Sequence, residues 1–183
     1  ERVRKHNADW GAVVISDVST GRILVLADSG STTPDPAKPQ SVMGVQAPYE
    51  PGSVGKLLTV ASALEKGSTT PTTAYTVPYS INPPDAGEPI KDYHEHGTEA
   101  LTTTGILAES SNTGTIAIGE QVGDRDRYDF MTNMGLNELT GIELAGESEG
   151  IMRDFGSIKG RDRYTMMFGQ SYAITAVQQN QFI

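Results

Sequence analysis

Two apolar, β-branched runs open the chain, Gly11-Ala12-Val13-Val14-Ile15 and Ile23-Leu24-Val25-Leu26. Between them Asp17-Val18-Ser19-Thr20-Gly21 is a turn cluster, with a glycine available for positive φ. The pattern predicts a β-hairpin, and its near-continuous apolar character predicts strands covered on both faces. From Asp28 to Gln46 the chain is rich in Ser, Thr, Pro and Gly without periodicity, which predicts a mobile loop.

Pro51-Gly52 then introduces a helix from Ser53 to about Lys66, ended by Gly67. Its apolar residues Val54, Leu57, Leu58, Val60, Ala61, Ala63 and Leu64 cover almost the whole circumference at 100° per residue, so the helix is expected to be buried. Residues 68–100, with Pro71, Pro78, Pro83, Pro84 and Pro89, read as loop and short strands. A second helix is expected from Thr102–Thr104 through Ile106-Leu107-Ala108, breaking at Ser110-Ser111-Asn112. A third runs from Thr113 to Val122 before Gly123, and another from Tyr128 to Met134 before Gly135. Interleaved strands and helices make a mixed α/β domain.

Composition narrows the function. The chain has 183 residues, enough for one compact domain. A net charge of −9 argues against a nucleic-acid binder or an anionic-membrane module, since both want a basic face. No apolar stretch is long enough to cross a bilayer, and no signal peptide is visible at Glu1. Without cysteine there are neither disulfides nor thiolate metal sites.

Ser53 and Lys56, three apart, are expected on one helix face about one turn apart. Lys56 is the only charge between Ser53 and Glu65. Burial lowers a lysine pKa, and a neutral amine beside a hydroxyl can take its proton as an acyl bond forms. A helix N-terminus would add positive charge where an oxyanion develops. Ser-x-x-Lys alone is weak, expected about once by chance at this chain length, and a Ser at a helix start is an ordinary N-cap. Ser110-Ser111-Asn112, at a break between helices, offers a second set. There Ser110 could relay a proton and Asn112 could donate to a substrate amide, although Ser and Asn are also ordinary helix-boundary residues.

Taken together, Pro51-Gly52-Ser53-Val54-Gly55-Lys56 followed by Ser110-Ser111-Asn112 resembles the first two signature motifs of penicillin-binding proteins and serine β-lactamases. Tyr49-Glu50-Pro51-Gly52-Ser53 resembles the approach to the nucleophile in class B penicillin-binding proteins. The hairpin Val13–Leu26, Thr103-Thr104-Gly105-Ile106 to Ser110-Ser111-Asn112-Thr113-Gly114, Thr140-Gly141-Ile142, Gly146-Glu147-Ser148 with Gly150, and Phe168-Gly169-Gln170 to Thr175 with Gln178 follow in the family's order. The likeness spans residues 9–180 and is greatest to division-type enzymes.

The resemblance implies the penicillin-binding protein and serine β-lactamase-like fold, an α/β (α+β) architecture with an antiparallel sheet flanked by helices. It implies peptidoglycan D,D-transpeptidation with Ser53 as nucleophile, Lys56 as base, Ser110 as proton carrier and Asn112 binding the donor amide. Peptidoglycan stem peptides would be substrates and β-lactams would acylate Ser53. No cofactor, metal or nucleic acid is implied. A membrane glycosyltransferase and division proteins are the partners such enzymes have, on the extracytoplasmic face of the bacterial membrane and held by an anchor that is not in this chain. The third motif, Lys-Thr-Gly or Lys-Ser-Gly, is absent, and Lys159-Gly160 is no substitute. Residues 1–183 are therefore expected to be a partial transpeptidase domain of a longer protein, lacking the C-terminal strands. Alternatives are a β-lactamase or β-lactam sensor, and a non-catalytic cell-wall scaffold. Tyr93-His94-Glu95-His96 holds too few ligands for a metal site. Glu138-Leu139-Thr140 lacks the Asn of a deacylating motif, and Gly135 and Gly141 read as helix terminators rather than phosphate-binding glycines.

Overall fold

A carboxylate closes the first turn. Asp17 Oδ1 accepts the N–H groups of Ser19 at 3.0 Å and Thr20 at 2.9 Å, and both hydroxyls. In the computed structural model, which describes residues 2–30 and 41–183, this turn joins β1 (Trp10–Ser16) to an antiparallel β2 (Ile23–Gly30), after a short helix α1 (Arg2–Lys5). Asp28, Ser29 and Gly30 extend β2, because they pair with Ala12, Gly11 and Trp10. Of the predicted loop, residues 31–40 lie outside the described residues, and Met43–Gln46 form a short helix, α2.

The remaining elements, in chain order, are α3 (Lys56–Glu65), β3 (Ala74–Val77), β4 (Ser80–Ile81), β5 (Ile90–Lys91), β6 (Glu99–Thr102), α4 (Thr103–Ala108), α5 (Asn112–Gly119), α6 (Asp124–Asn133), α7 (Arg161–Thr165) and α8 (Ala176–Gln181). The mixed α/β class holds, with antiparallel strands. Among the described residues they form three two-stranded pairs, β1–β2, β3–β6 and β4–β5. No described helix is long and apolar enough to cross a membrane.

The chain divides into two units. The first comprises Glu1–Tyr49, Met134–Ile151 and Ala173–Ile183. Here α2 and α8 pack on β1, and bridges join Tyr49 to Ile174 and Ile151 to Ala173. The hairpin is not covered on both faces as its apolar run predicts. Val13 and Ile15 stay 55% and 48% exposed, while the alternate residues Ala12, Val14 and Leu26 are half-buried. A continuous apolar run cannot say which face is covered; α2 settles it by laying Gly44 against Leu26 and Ala12.

The second unit comprises Glu50–Asn133 and Met152–Tyr172. Its central helix is α5, not α3. Thr113, Gly114, Thr115, Ile116, Ile118 and Gly119 are all buried. Ile118 joins one apolar cluster with Val60, Ala63, Val77, Ile106 and Val122, while Ile116 joins a second with Ile90, Tyr164, Met167 and Phe168. Close approach requires Gly119: a Cβ there would stand 2.7 Å from Met167 Sδ and 3.0 Å from Thr59 Cγ2. By contrast α3 keeps Leu57 and Leu64 38% and 41% exposed. These two residues sit seven apart on one stripe, so the all-round apolar pattern overstated its burial. The predicted helix at Tyr128 starts earlier, at Asp124, where two aspartates occupy a first turn that favours negative charge. Buried Arg127 donates to the Gly119 carbonyl at 3.3 Å, the Arg163 carbonyl at 3.2 Å and Asp124 at 2.9 Å, which satisfies the end of α5.

If α5 is the core of this unit, Ile118→Ala is expected to destabilise it by about 2–5 kcal/mol. Leu57→Ala on the exposed stripe should cost under about 1 kcal/mol. Denaturant unfolding of the two variants checks the ranking.

Candidate active site

Ser53 does not open an α-helix. It lies in a 3-10 turn, Gly52–Gly55, and α3 starts only at Lys56. Main-chain contact holds that turn in place. The Gly52 N–H donates to the Gly169 carbonyl at 2.8 Å. Gly169 has φ +86, and a Cβ on it would run into the Gly52 carbonyl, while a Cβ on Gly55 would stand 2.7 Å from Gly169 Cα. No side chain fits in this seam. Glu50 adds a second tie, its carboxylate accepting the Ser171 N–H at 2.7 Å.

Ser53 is exposed, and Lys56, one turn on, is 1% exposed. Lys56 Nζ lies 3.2 Å from Ser53 Oγ and 2.9 Å from Ser110 Oγ, and it also donates to the Ser110 carbonyl. Burial lowers its pKa from 10.5 to about 8, against the Asp92 carboxylate, whose charge holds it up. An ammonium donates to all three oxygens. After losing one proton the amine keeps two donors, which suffice for the Ser110 carbonyl and hydroxyl, and gains a lone pair for the Ser53 O–H. The three sequence candidates Ser53, Lys56 and Ser110 thus meet around one nitrogen.

The turn bearing Ser110 is held from the far side. Ser110 adopts φ +54, a left-handed conformation that a non-glycine residue holds only when its surroundings require it. Ser111 caps α5, accepting the Gly114 N–H at 2.9 Å. Its hydroxyl donates to Asp92 Oδ2 at 2.7 Å, and the Asn112 and Thr113 N–H groups donate to Asp92 Oδ1. Burial alone would push the Asp92 carboxyl up. Hydrogen bonds from Ser111, Thr113, His96 and Asn112 outweigh it and hold the carboxyl below its ordinary range. Asn112 Nδ2 donates to the Lys91 carbonyl at 2.9 Å, leaving its second N–H for another acceptor. Gly52, Ser53, Ser110, Asn112, His96 and Arg161 all line one cavity of about 590 Å³.

Asp92 escapes the sequence reading. It stands 19 residues before Ser111 in a proline-rich stretch, and no local spacing connects them. His96 is part of this network. Its Nε2 faces Asp92 Oδ2 at 3.0 Å and its Nδ1 faces the Gly97 carbonyl at 2.6 Å. Among the described residues no cluster of three His or acidic side chains could hold a metal.

The model of the penicillin-binding protein transpeptidase domain matches residues 11–183. The chain belongs to the penicillin-binding protein transpeptidase family. Among class B relatives, it is 33% identical over 175 residues to penicillin-binding protein PbpB of Mycobacterium tuberculosis, covering 91% of this chain and 25% of that protein. To the peptidoglycan D,D-transpeptidase FtsI of Escherichia coli it is 30% identical over 179 residues, covering 94% and 29%. A peptidoglycan synthetase structure from Bifidobacterium adolescentis matches with a TM-score of 0.85 and 37% identity, over 93% of this chain and 31% of that one. Penicillin-binding protein 3 of M. tuberculosis, complexed with aztreonam, matches with a TM-score of 0.85 and 31% identity, over 94% and 40%. The chain spans about a quarter of the length of the curated PbpB relatives.

Other segments that carry the likeness to penicillin-binding protein transpeptidases are structural within the first unit. Thr140 donates its N–H to Glu147 at 2.8 Å, and its hydroxyl to the same oxygen. Thr175 and Gln178 form a capping box on α8. Buried Gln178 also donates to the carbonyls of Glu138 at 2.9 Å and Glu149 at 2.8 Å.

The buried amine has a stability signature. The Lys56 proton is held more weakly in the folded state than in the unfolded chain, so the penalty is full below about pH 8 and vanishes as pH rises through 10.5. Lys56→Met is expected to raise the unfolding free energy at pH 7, by up to about 3 kcal/mol, with the gain shrinking toward pH 10.5. Denaturant melts at both pH values test this.

Proposed function

We propose that this chain carries the nucleophile half of a serine D,D-transpeptidase site that cross-links peptidoglycan stem peptides. One observation carries the reading: a buried amine with a pKa near 8 lies 3.2 Å from an exposed serine hydroxyl and 2.9 Å from a second. Neutral Lys56 takes the Ser53 proton as Oγ bonds to the carbonyl carbon between two terminal D-alanines. The C–N bond then breaks, and the departing D-alanine nitrogen receives a proton through Ser110, which touches Lys56 Nζ. A neighbouring stem-peptide amine attacks the acyl-enzyme, its proton returns by the same path, and Ser53 is restored. Asn112, tethered to the Lys91 carbonyl, orients the donor amide with its remaining N–H. A β-lactam presents the same carbonyl, but its leaving nitrogen stays tethered, so Ser53 remains acylated.

The named relatives support this chemistry, PbpB as a penicillin-binding protein and FtsI as a peptidoglycan D,D-transpeptidase. In the same reading residues 1–183 are part of a larger transpeptidase domain, and the third-motif strand is supplied by the parent protein. That protein works on the extracytoplasmic face of the membrane, held there by an anchor, beside a glycosyltransferase and division proteins.

The full-length protein is expected to be labelled covalently by a fluorescent penicillin and Ser53→Ala to remain unlabelled. Lys56→Ala should slow labelling by about 10²- to 10⁴-fold. Rapid turnover of a chromogenic cephalosporin would instead favour a β-lactamase, and no label on the folded wild type would favour a scaffold.

A further inference from the structure

Of the network around α5, the proposed reaction uses Ser110 and Asn112 directly. No hydrogen bond joins Asp92 or His96 to Ser53 or Lys56, yet Asp92 gathers more bonds than any catalytic candidate. Oδ1 receives the Asn112 and Thr113 N–H groups and Oδ2 receives Ser111 Oγ and His96 Nε2. Ordinary capping does not need this much: Ser111 already caps α5. Buried charge is also an expensive way to fasten a turn.

We propose that Asp92 is a positioning residue for the proton-transfer step, fixing the 110–112 turn so that Ser110 faces Lys56. The inference rests on the reading of Ser53 and Lys56 given above. The geometry runs in one line. Asp92 holds the N–H of Asn112 and the hydroxyl of Ser111, and the residue immediately before them points both its carbonyl and its hydroxyl at Nζ. Ser110 needs such a hold, since its left-handed backbone is disfavoured by itself. The carboxylate is joined to the turn whose Ser110 oxygens meet Lys56 Nζ, and its negative charge opposes loss of the lysine proton.

His96 balances that charge. Both its ring nitrogens face atoms that can only accept, the Asp92 carboxylate and the Gly97 carbonyl, an arrangement that favours the doubly protonated ring. Its pKa is raised, first by the hydrogen bond to Asp92 and then by that to Gly97. The other groups facing the pair are Glu99, 3.9 Å from His96 Nδ1, and the Tyr79 ring, which lies edge-on to His96 and carries Lys91 5.8 Å above its centroid. Asp92 thus bears on two titratable side chains, Lys56 by its charge and His96 by a hydrogen bond.

The test is the pH profile of acylation of the full-length protein by a fluorescent penicillin. The rate is expected to rise with pH to a plateau, with a midpoint set by Lys56. Asp92→Asn keeps the acceptor for the two N–H groups and removes the charge. Its midpoint should fall by about half a unit, which is about threefold in neutral-amine fraction at pH 7. Asp92→Glu keeps the charge and should hold the wild-type midpoint, and Asp92→Ala, which frees the turn, should lower the plateau at least about tenfold. His96→Arg and His96→Gln read the same coupling from the cavity wall. A permanent cation should place the Arg midpoint about half a unit below that of Gln, wherever His96 itself titrates. A folded Asp92→Asn with the wild-type midpoint, or Asp92→Ala with the wild-type plateau, overturns the proposal. If Asp92→Asn does not fold, equal midpoints for the two His96 variants do so. Labelling that survives Ser53→Ala instead defeats the underlying site reading and leaves no Lys56 profile to interpret.

Discussion

An amine taken out of water is the constraint around which the second unit is organised. Charged Lys56 would be costly at a position that is 1% exposed, and burial brings its pKa to about 8 rather than removing its basicity. That intermediate value is useful only if the lone pair meets a proton worth taking. Two donors must also find acceptors, or the buried nitrogen is left unsatisfied. Both acceptors come from Ser110, and the Ser53 hydroxyl lies 3.2 Å from the same nitrogen. The arrangement therefore depends on two turns being aimed at one nitrogen, and the unit uses a different device for each.

The Ser53 turn is set by backbone against backbone, Gly52 and Gly55 against Gly169. The Ser110 turn is set by charge and hydrogen bonds. A carboxylate collects the first N–H groups of α5 together with the capping hydroxyl of Ser111. Both turns are fastened to α-helices packed on the same apolar cluster, α3 and α5 contributing Val60 and Ala63 on one side and Ile118 on the other. Packing thereby fixes the separation of the two turns, and local bonding fixes their aim.

Much of this was legible in the sequence, and the misses have physical causes. The hairpin, the helix break at Ser110-Ser111-Asn112 and the helix stop at Gly67 follow from turn chemistry within a few residues, which local composition records. The family likeness, read from ordered motifs, was equally visible. Burial was misjudged twice, for the hairpin and for α3, because apolarity states what a face tolerates and not what lies opposite it. α5, whose Thr and Gly content looks modest, turned out to be the core helix; small residues there buy closeness rather than hydrophobic area. Asp92 was missed, and Gly169 was legible only as part of a family segment and not as a contact, since each acts on a turn distant in sequence and no periodicity connects them to it.

The glycine seam has a consequence for how such a site can diverge. Where main chain rests on main chain, there is no side chain for substitution to reshape, so the Ser53 turn acts as a fixed reference point. Changes in selectivity must come from the cavity walls, such as Asn112, His96 and Arg161, which can be remodelled without re-aiming Ser53. A lineage under pressure to exclude one ligand while admitting another has its freedom there, around a hydroxyl whose turn is set by main chain.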